Sequence, residues 1–233
     1  MIIMTDSGWQ LDINQLTIFN MIVHTMNSKE LLKEIFNDYK IVERKANYLG
    51  LSLRREAVKS KEKHVHRIFD YRSKQHNNWI INVDYYIARP SFSAIVYYLD
   101  QYGLNGIRVN ASLKSLTHFT PHFLDRYNQR FLQQEKLSKI ELLKLFICNN
   151  PIEVILSVTD IDSNQNRIFG RFKEGTGLGY EEIFDDIGKV IRHFKTFISN
   201  DMIKESQQDV SSYVGRLYNK YWDEIFKKSR RRA

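Results

Sequence analysis

The stretch T-P-H-F-L-D-R-Y-N-Q-R-F, from Thr120 to Phe131, places His122, Arg126 and Arg130 four residues apart. At about 100° per residue on a helix, Arg126 falls about 40° and Arg130 about 80° round from His122. Phe123, Leu124, Tyr127 and Phe131 occupy the adjoining arc, so the three polar groups border a buried face. Histidine titrates near neutrality and both takes and gives a proton. The arginine fork matches two phosphate oxygens and stays charged when partly buried. Such a set has the parts for metal-free RNA cleavage, in which a 2′-hydroxyl attacks the adjacent phosphate. His122 would act as acid or base, and Arg126 and Arg130 would stabilise charge growing on the phosphoryl oxygens. The same spacing also fits a structural role, with both arginines paired to acidic residues of 151–200 and His122 a first-turn residue.

The element carrying this stripe has clear start signals. Thr120 is an N-cap, Pro121 follows at the first helical position, and Phe119 with Leu124 forms a staple pattern. A second helix begins at Ser138, with Glu141 at the capping-box position, and ends before Pro151. Strands IEVILSV, NRIFGRF, LGYEEIF and GKVIRHFKTFIS follow. A long C-terminal helix is predicted from Ser199 or Asn200 towards Lys228, with Val210, Val214, Leu217 and Tyr221 on one face. Upstream, Asn27 and Glu30 cap an amphipathic helix over 27–49 that Gly50 is expected to stop, and a more basic helix runs from about Ser52 to Lys63. WIINVDYYIA, FSAIVYYLD and GIRVNAS read as strands, and HVHRIFDYR as a further strand in competition with helix.

Lys and Arg number 35 against 27 Asp and Glu, a formal charge of +8, and the excess is local. Residues 51–78 hold eight basic and three acidic side chains, and Lys227, Lys228, Arg230, Arg231 and Arg232 crowd the last seven positions. Arg54, Arg55, Lys59, Lys61, Lys63, Arg67 and the terminal five are candidate phosphate contacts, since neutralising a polyanion releases its counterions. A solvated face with a frayed end gives the same pattern. Hydrophobic residues at 42% exclude a disordered chain, and three prolines exclude a proline-rich scaffold. One cysteine excludes a disulfide framework and fits a reducing compartment. The N-terminus lacks the basic start of a signal peptide, and no apolar run is long enough to span a bilayer. A cytoplasmic protein with no membrane partner is the expectation.

Other constellations carry less. His118 and His122 flank the helix start and do not share a face, and His64 with His66 lacks a third ligand, so no metal site is assigned. Gly175, Gly177 and Gly179 do not have phosphate-loop spacing and read as a tight strand connection using positive φ. Cys148 reads as a small core residue.

The pattern F-T-x-H-x-x-x-R-x-x-x-R, followed by a helix, a run of strands and a closing helix, resembles the RelE/BrnT-like toxin superfamily over about residues 117–200. It is also similar to uncharacterised bacterial domains with such a helix. The resemblance implies an α+β domain with a curved antiparallel sheet and, for many members, cleavage of mRNA, free or on the ribosome. His122, Arg126 and Arg130 carry over onto the motif, while Arg171 and His193 lie on strands where that family keeps cationic groups. The expected fold is therefore α+β: a helical and β-rich region over 1–115, then a core over 116–233 with two helices, a curved antiparallel sheet and a long C-terminal helix. The expected function is RNA binding with metal-independent, toxin-like ribonuclease activity and no cofactor, with RNA, a ribosome or an antitoxin-like protein as partner. The alternatives are a non-catalytic module binding nucleic acid or protein, and a structural protein of a mobile element or assembly.

Overall fold

Ile80 and Ile81, and likewise Ile95 and Val96, are neighbours in sequence and fully buried on opposite sides of their strands. Strands apolar on both sides must lie inside a sheet covered on both faces. In the computed structural model, which describes residues 3–5, 8–10, 22–23, 25–86, 89–134, 136–151, 153–160, 165–202 and 212–220, that sheet has nine strands. In chain order the elements are β1 (Ile3–Thr5), β2 (Gly8–Gln10), α1 (Ser28–Ser60), β3 (His64–Arg72), β4 (Asn78–Tyr86), β5 (Arg89–Asp100), β6 (Gly103–Asn110) and β7 (Ser115–Phe119). Then come α2 (Pro121–Tyr127), α3 (Lys139–Asn149), β8 (Val154–Asp160), β9 (Gln165–Arg171), β10 (Gly175–Phe184) and β11 (Lys189–Ser199). β1 and β2 pair with each other, and the large sheet has the order β3-β4-β5-β6-β7-β11-β10-β9-β8.

The curved antiparallel sheet confined to the second half of the chain is overturned. Strands from both halves form one mixed sheet, in which β7 pairs antiparallel with β6 and parallel with β11. The topology explains the mixture. The chain leaves β7 through α2 and α3 on one face, re-enters at the far edge as β8, and meanders back until β11 lies along β7.

The two helices expected over 27–63 are one, α1, of 33 residues. The Asn27–Glu30 capping box forms as read, and the helix ends on Lys61 in the left-handed region, with φ of 58°. Gly50 is not a stop. A Cβ there would stand 2.8 Å from the Pro90 Cβ, so glycine lets α1 lie close against the start of β5. Leu32, Ile35, Val42 and Ala46 pack on Ile81, Val83, Ala94 and Val96 on this face. Buried Asp38 fastens α1 to the β3–β4 turn, accepting hydrogen bonds from Ser73 Oγ at 2.7 Å, Trp79 Nε1 at 2.8 Å and Asn77 Nδ2 at 2.9 Å.

The opposite face holds α2, α3 and an aromatic core of Phe119, Phe123, Tyr127, Phe146, Phe172, Phe194 and Phe197. This packing corrects the reading of the glycine run. Gly175, Gly177 and Gly179 lie within β10 with no positive φ, and a Cβ on Gly177 would meet Phe194 at 2.7 Å and Phe172 at 2.8 Å. They make room for rings instead of making a turn.

The long helix from residue 199 or 200 is also overturned. Ser199, taken as a cap, is the last ladder residue of β11 and pairs with Gly175. A 3₁₀ turn follows at Asn200–Met202, and residues 212–220 are helical with Val214 and Tyr218 buried. The expected course through 203–211 and 221–228 lies outside the described residues. No helix among the described residues is long and apolar enough to cross a membrane.

Candidate functional site

α2 begins as the sequence predicts: Thr120 Oγ1 accepts from Phe123 N at 3.3 Å and also donates to the Phe194 carbonyl at 2.9 Å. The helix then changes pitch. Asn128–Leu132 is a π turn, closed by Gln133 N donating to the Asn128 carbonyl at 2.7 Å. The wider turn alters the angular step after Tyr127, so the His-Arg-Arg stripe is not continued. Arg126 Nε donates to His122 Nε2 at 3.4 Å and its Nη1 to Gln129 Oε1 at 2.9 Å. Arg130 turns to the sheet, where Nη1 donates to the Phe197 carbonyl at 2.6 Å. Neither arginine pairs with an acidic residue of 151–200 in any hydrogen bond or ion pair described.

His122, exposed, stands on the wall of a cleft of about 470 Å³ whose lining also includes Tyr98, Tyr102, Asn105, His118 and Lys195. The tight β5–β6 turn presents Tyr102. Asp100 Oδ1 accepts from Tyr102 N at 2.8 Å and Gly103 N at 2.9 Å, and Gly103 takes φ of 130°, beyond the ordinary reach of an L side chain. Tyr102 is 77% exposed. Tyr98 is half-buried, and burial, then Asp100, pushes its phenol up to about 12, so the ring remains a neutral hydrogen-bond donor.

From His118 in the cleft lining, a polar row runs across three strands on the α1 side of the sheet. His118 of β7 and His193 of β11 are in register, and Tyr180 of β10 is in register with His193. Both histidines are buried, with their Nδ1 atoms 2.9 Å apart, and His118 Nε2 lies 2.9 Å from Asn105 Oδ1. Because an amide oxygen only accepts, His118 carries its proton on Nε2, its Nδ1 accepts, and His193 donates from Nδ1. That leaves the buried His193 Nε2 as a bare acceptor without a hydrogen-bond partner, 3.6 Å from Glu182 Oε1. Tyr180 stacks on His193 with centroids 4.8 Å apart, and Lys195 Nζ lies 5.2 Å from the Tyr180 ring centre. Burial holds His118 well below its ordinary value, reinforced by His193 and Lys195. Burial also lowers His193 to about 4, Glu182 opposing and Lys195 assisting. The pair is neutral near pH 7.

The remaining candidates disperse. Arg54, Arg55 and Lys59 are exposed on α1, Lys61 caps its end, and Lys63 precedes β3. Arg67 is taken by Glu56 at 2.5 Å and by the His66 carbonyl at 2.9 Å. Arg171 bonds Asn200, and burial lowers its pKa. Lys227, Lys228, Arg230, Arg231 and Arg232 lie outside the described residues. His64 bonds Asp84 at 2.6 Å and His66 bonds Asn82 at 2.5 Å, and no group of three or more His, Cys, Asp or Glu among the described residues is arranged to hold a metal ion. Burial raises the half-buried Cys148 thiol, which disfavours a thiolate nucleophile.

Sequence reasoning passed over Tyr98, Tyr102, Asn105, His193 and Lys195 as members of one site. Their available signal was alternation: Asn105, His118 and His193 occupy positions whose strand neighbours two residues away, Ile107, Leu116 and Ile191, are core. It also missed the buried cluster on the opposite face, where Arg108 Nη1 meets Glu153 Oε2 at 2.9 Å and Thr117 Oγ1 donates to Glu153 Oε1 at 2.7 Å. No family model matches this chain, and no curated protein or solved structure matches it either.

Proposed function

We propose that the protein binds single-stranded RNA, with one nucleotide seated in the cleft between the β5–β6 turn and the start of α2. The observation that carries this reading is the meeting of two tyrosines, His122 and Lys195 around one opening of about 470 Å³, whose two carboxylates are already engaged, Asp100 by the Tyr102 and Gly103 N–H groups and Asp125 by Lys139. Clefts of a few hundred Å³ suit a ligand of nucleotide size. An exposed tyrosine ring stacks on any base, and a lysine beside it neutralises one phosphate. The test is anisotropy of a labelled single-stranded RNA over a salt series. Tyr102→Ala should weaken binding by about tenfold or more, the worth of one stacked base. Lys195→Ala should reduce the slope of log affinity against log salt by about 0.7, the contribution of one phosphate contact on a single strand. Unchanged affinity in both variants would reject the cleft as the binding site.

A second reading, metal-independent cleavage, rests on the position of His122 on the cleft wall with the Arg126 guanidinium 3.4 Å away. The RNA 2′-oxygen would attack the adjacent phosphorus, His122 would handle the proton, and the 5′-oxygen would leave, giving a 2′,3′-cyclic phosphate. Lys195, rather than Arg130, would be the charge-stabilising partner, because Arg130 is engaged with a backbone carbonyl. RNA cleavage in excess chelator, with and without translating ribosomes, distinguishes binding alone from catalysis. A His122→Ala variant that cleaves like wild type removes the second reading and leaves the first.

A further inference from the structure

α1 carries an outward ridge that its packing on the sheet does not explain. Tyr48, Leu51 and Val58 are 65, 52 and 68% exposed. At about 100° per residue, Tyr48, Leu51, Arg55 and Val58 fall within an arc of about 80°, opposite the buried Val42, Ala46 and Leu53. Their spacing of three, four and three residues is that of a heptad seam, with Arg55 in an otherwise apolar row. A shallow groove of about 460 Å³ runs along the ridge, lined by Leu51, Val58, Arg54, Arg55 and Lys59, with no acidic side chain in its lining. Among the described residues nothing covers it.

We propose that this ridge docks an acidic amphipathic helix of a partner protein, whose apolar seam packs on Tyr48, Leu51 and Val58 and whose flanking carboxylates meet Arg54, Arg55 and Lys59. Helix-in-groove recognition reads apolar anchors at this spacing, and flanking charges set the choice of partner. A second copy of the chain would bring these three cations against their own counterparts, so the charge selects a partner of opposite sign. A phosphodiester strand would neutralise the cations and leave Leu51 and Val58 without apolar contact. A bilayer surface needs a broad apolar face, whereas this one is a narrow seam broken by Arg55. None of these residues lines the cleft assigned to RNA, so the two surfaces are tested separately.

The probe is a labelled helical peptide of about three heptads, with Leu at a and d and Glu at e and g, titrated with the full chain by anisotropy. Wild type should bind it, and Leu51→Ser/Val58→Ser should weaken binding about tenfold or more, as expected for apolar anchors. Arg54→Ala/Arg55→Ala should weaken it and flatten its salt dependence. A peptide with Lys in place of Glu should not bind. Circular dichroism and urea midpoints matching wild type establish that these surface variants are folded. The proposal is overturned if the Glu peptide does not bind, or if the ridge variants bind it equally. It is also overturned if the double serine variant loses a concentration-dependent dimer, or if phosphatidylserine vesicles or single-stranded RNA displace the peptide from the ridge. Failure of the cleft variants in the RNA assay leaves this outcome untouched.

Discussion

Replacing His193 with glutamine should make the protein less sensitive to acid. His193 is 7% exposed, wedged between His118 and Tyr180, with Glu182 and Lys195 facing it from β10 and β11. Burial moves its pKa from 6.5 in the unfolded chain to about 4 in the fold. The unfolded state therefore takes up the proton first as pH falls. Stability is whole above the unfolded value, declines from about pH 6.5 towards about pH 4, and levels off below. The full difference corresponds to about 3 kcal/mol for this one group, of which about 2 kcal/mol is lost between about pH 7.5 and about pH 5. Urea unfolding of wild type and His193→Gln at both pH values isolates the effect. Any loss of the His118 contact appears at both pH values and cancels in the double difference. Wild type should lose about 2 kcal/mol more than the variant on acidification. If the two lose equal amounts, the buried neutral imidazole of His193 is not what sets the acid sensitivity.

Asp38→Ala should cost about 3 kcal/mol or more by urea denaturation, because it orphans the Ser73, Asn77 and Trp79 donors together in a buried site. A loss below about 1 kcal/mol would mean that these donors find other partners. Arg130→Ala should lower stability by about 1 kcal/mol, through the lost bond to the Phe197 carbonyl, and leave RNA affinity unchanged. Lys195→Ala should show the reverse, and a swap of the two outcomes would return Arg130 to the phosphate.

The local signals that the chain advertises are those decided within a few residues. Both capping boxes, at Asn27–Glu30 and Ser138–Glu141, and the Thr120 cap are formed as the sequence spells them. The longer strands were legible for the same reason, since alternation and β-branching act locally, whereas β1, β2 and the five-residue β7, which carries His118, are too short to announce themselves and are not among the strands expected from the sequence. What the sequence could not spell was who pairs with whom. Joining β7 to β11 in parallel depends on where the meander begins, and nothing inside Ser115–Phe119 records that seventy residues later a strand will return beside it. Glycines misled for a related reason. Gly50 and Gly177 look like breaks when only backbone freedom is considered, but each is required by a side chain distant in sequence, Pro90 in one case and Phe194 in the other.

The candidate site follows the same division. His122 was legible because a capped helix places a first-turn residue predictably, and Arg126 followed it by one turn. Arg130 did not follow, because the π turn at Asn128–Leu132 breaks the period on which the stripe was drawn. The partners that the fold brings to His122 come from β5, β6, β7 and β11, and no spacing within α2 could announce them. His118 illustrates the point most sharply. Weighed as a metal ligand with His122, four residues away, it is instead bonded to His193, seventy-five residues away, and to Asn105 on the neighbouring strand. A buried, neutral, mutually bonded imidazole pair is costly to place in a sheet interior, since each nitrogen must be satisfied or left as an orphan. The fold leaves one such orphan, His193 Nε2 opposite Glu182. Two acceptors facing each other at 3.6 Å would be joined by a proton on Nε2, but burial outweighs the attraction of Glu182 and keeps the imidazole neutral, so acid costs the fold stability at this point. That puts an acid-sensitive group one hydrogen bond away from His118, which lines the cleft proposed to hold RNA.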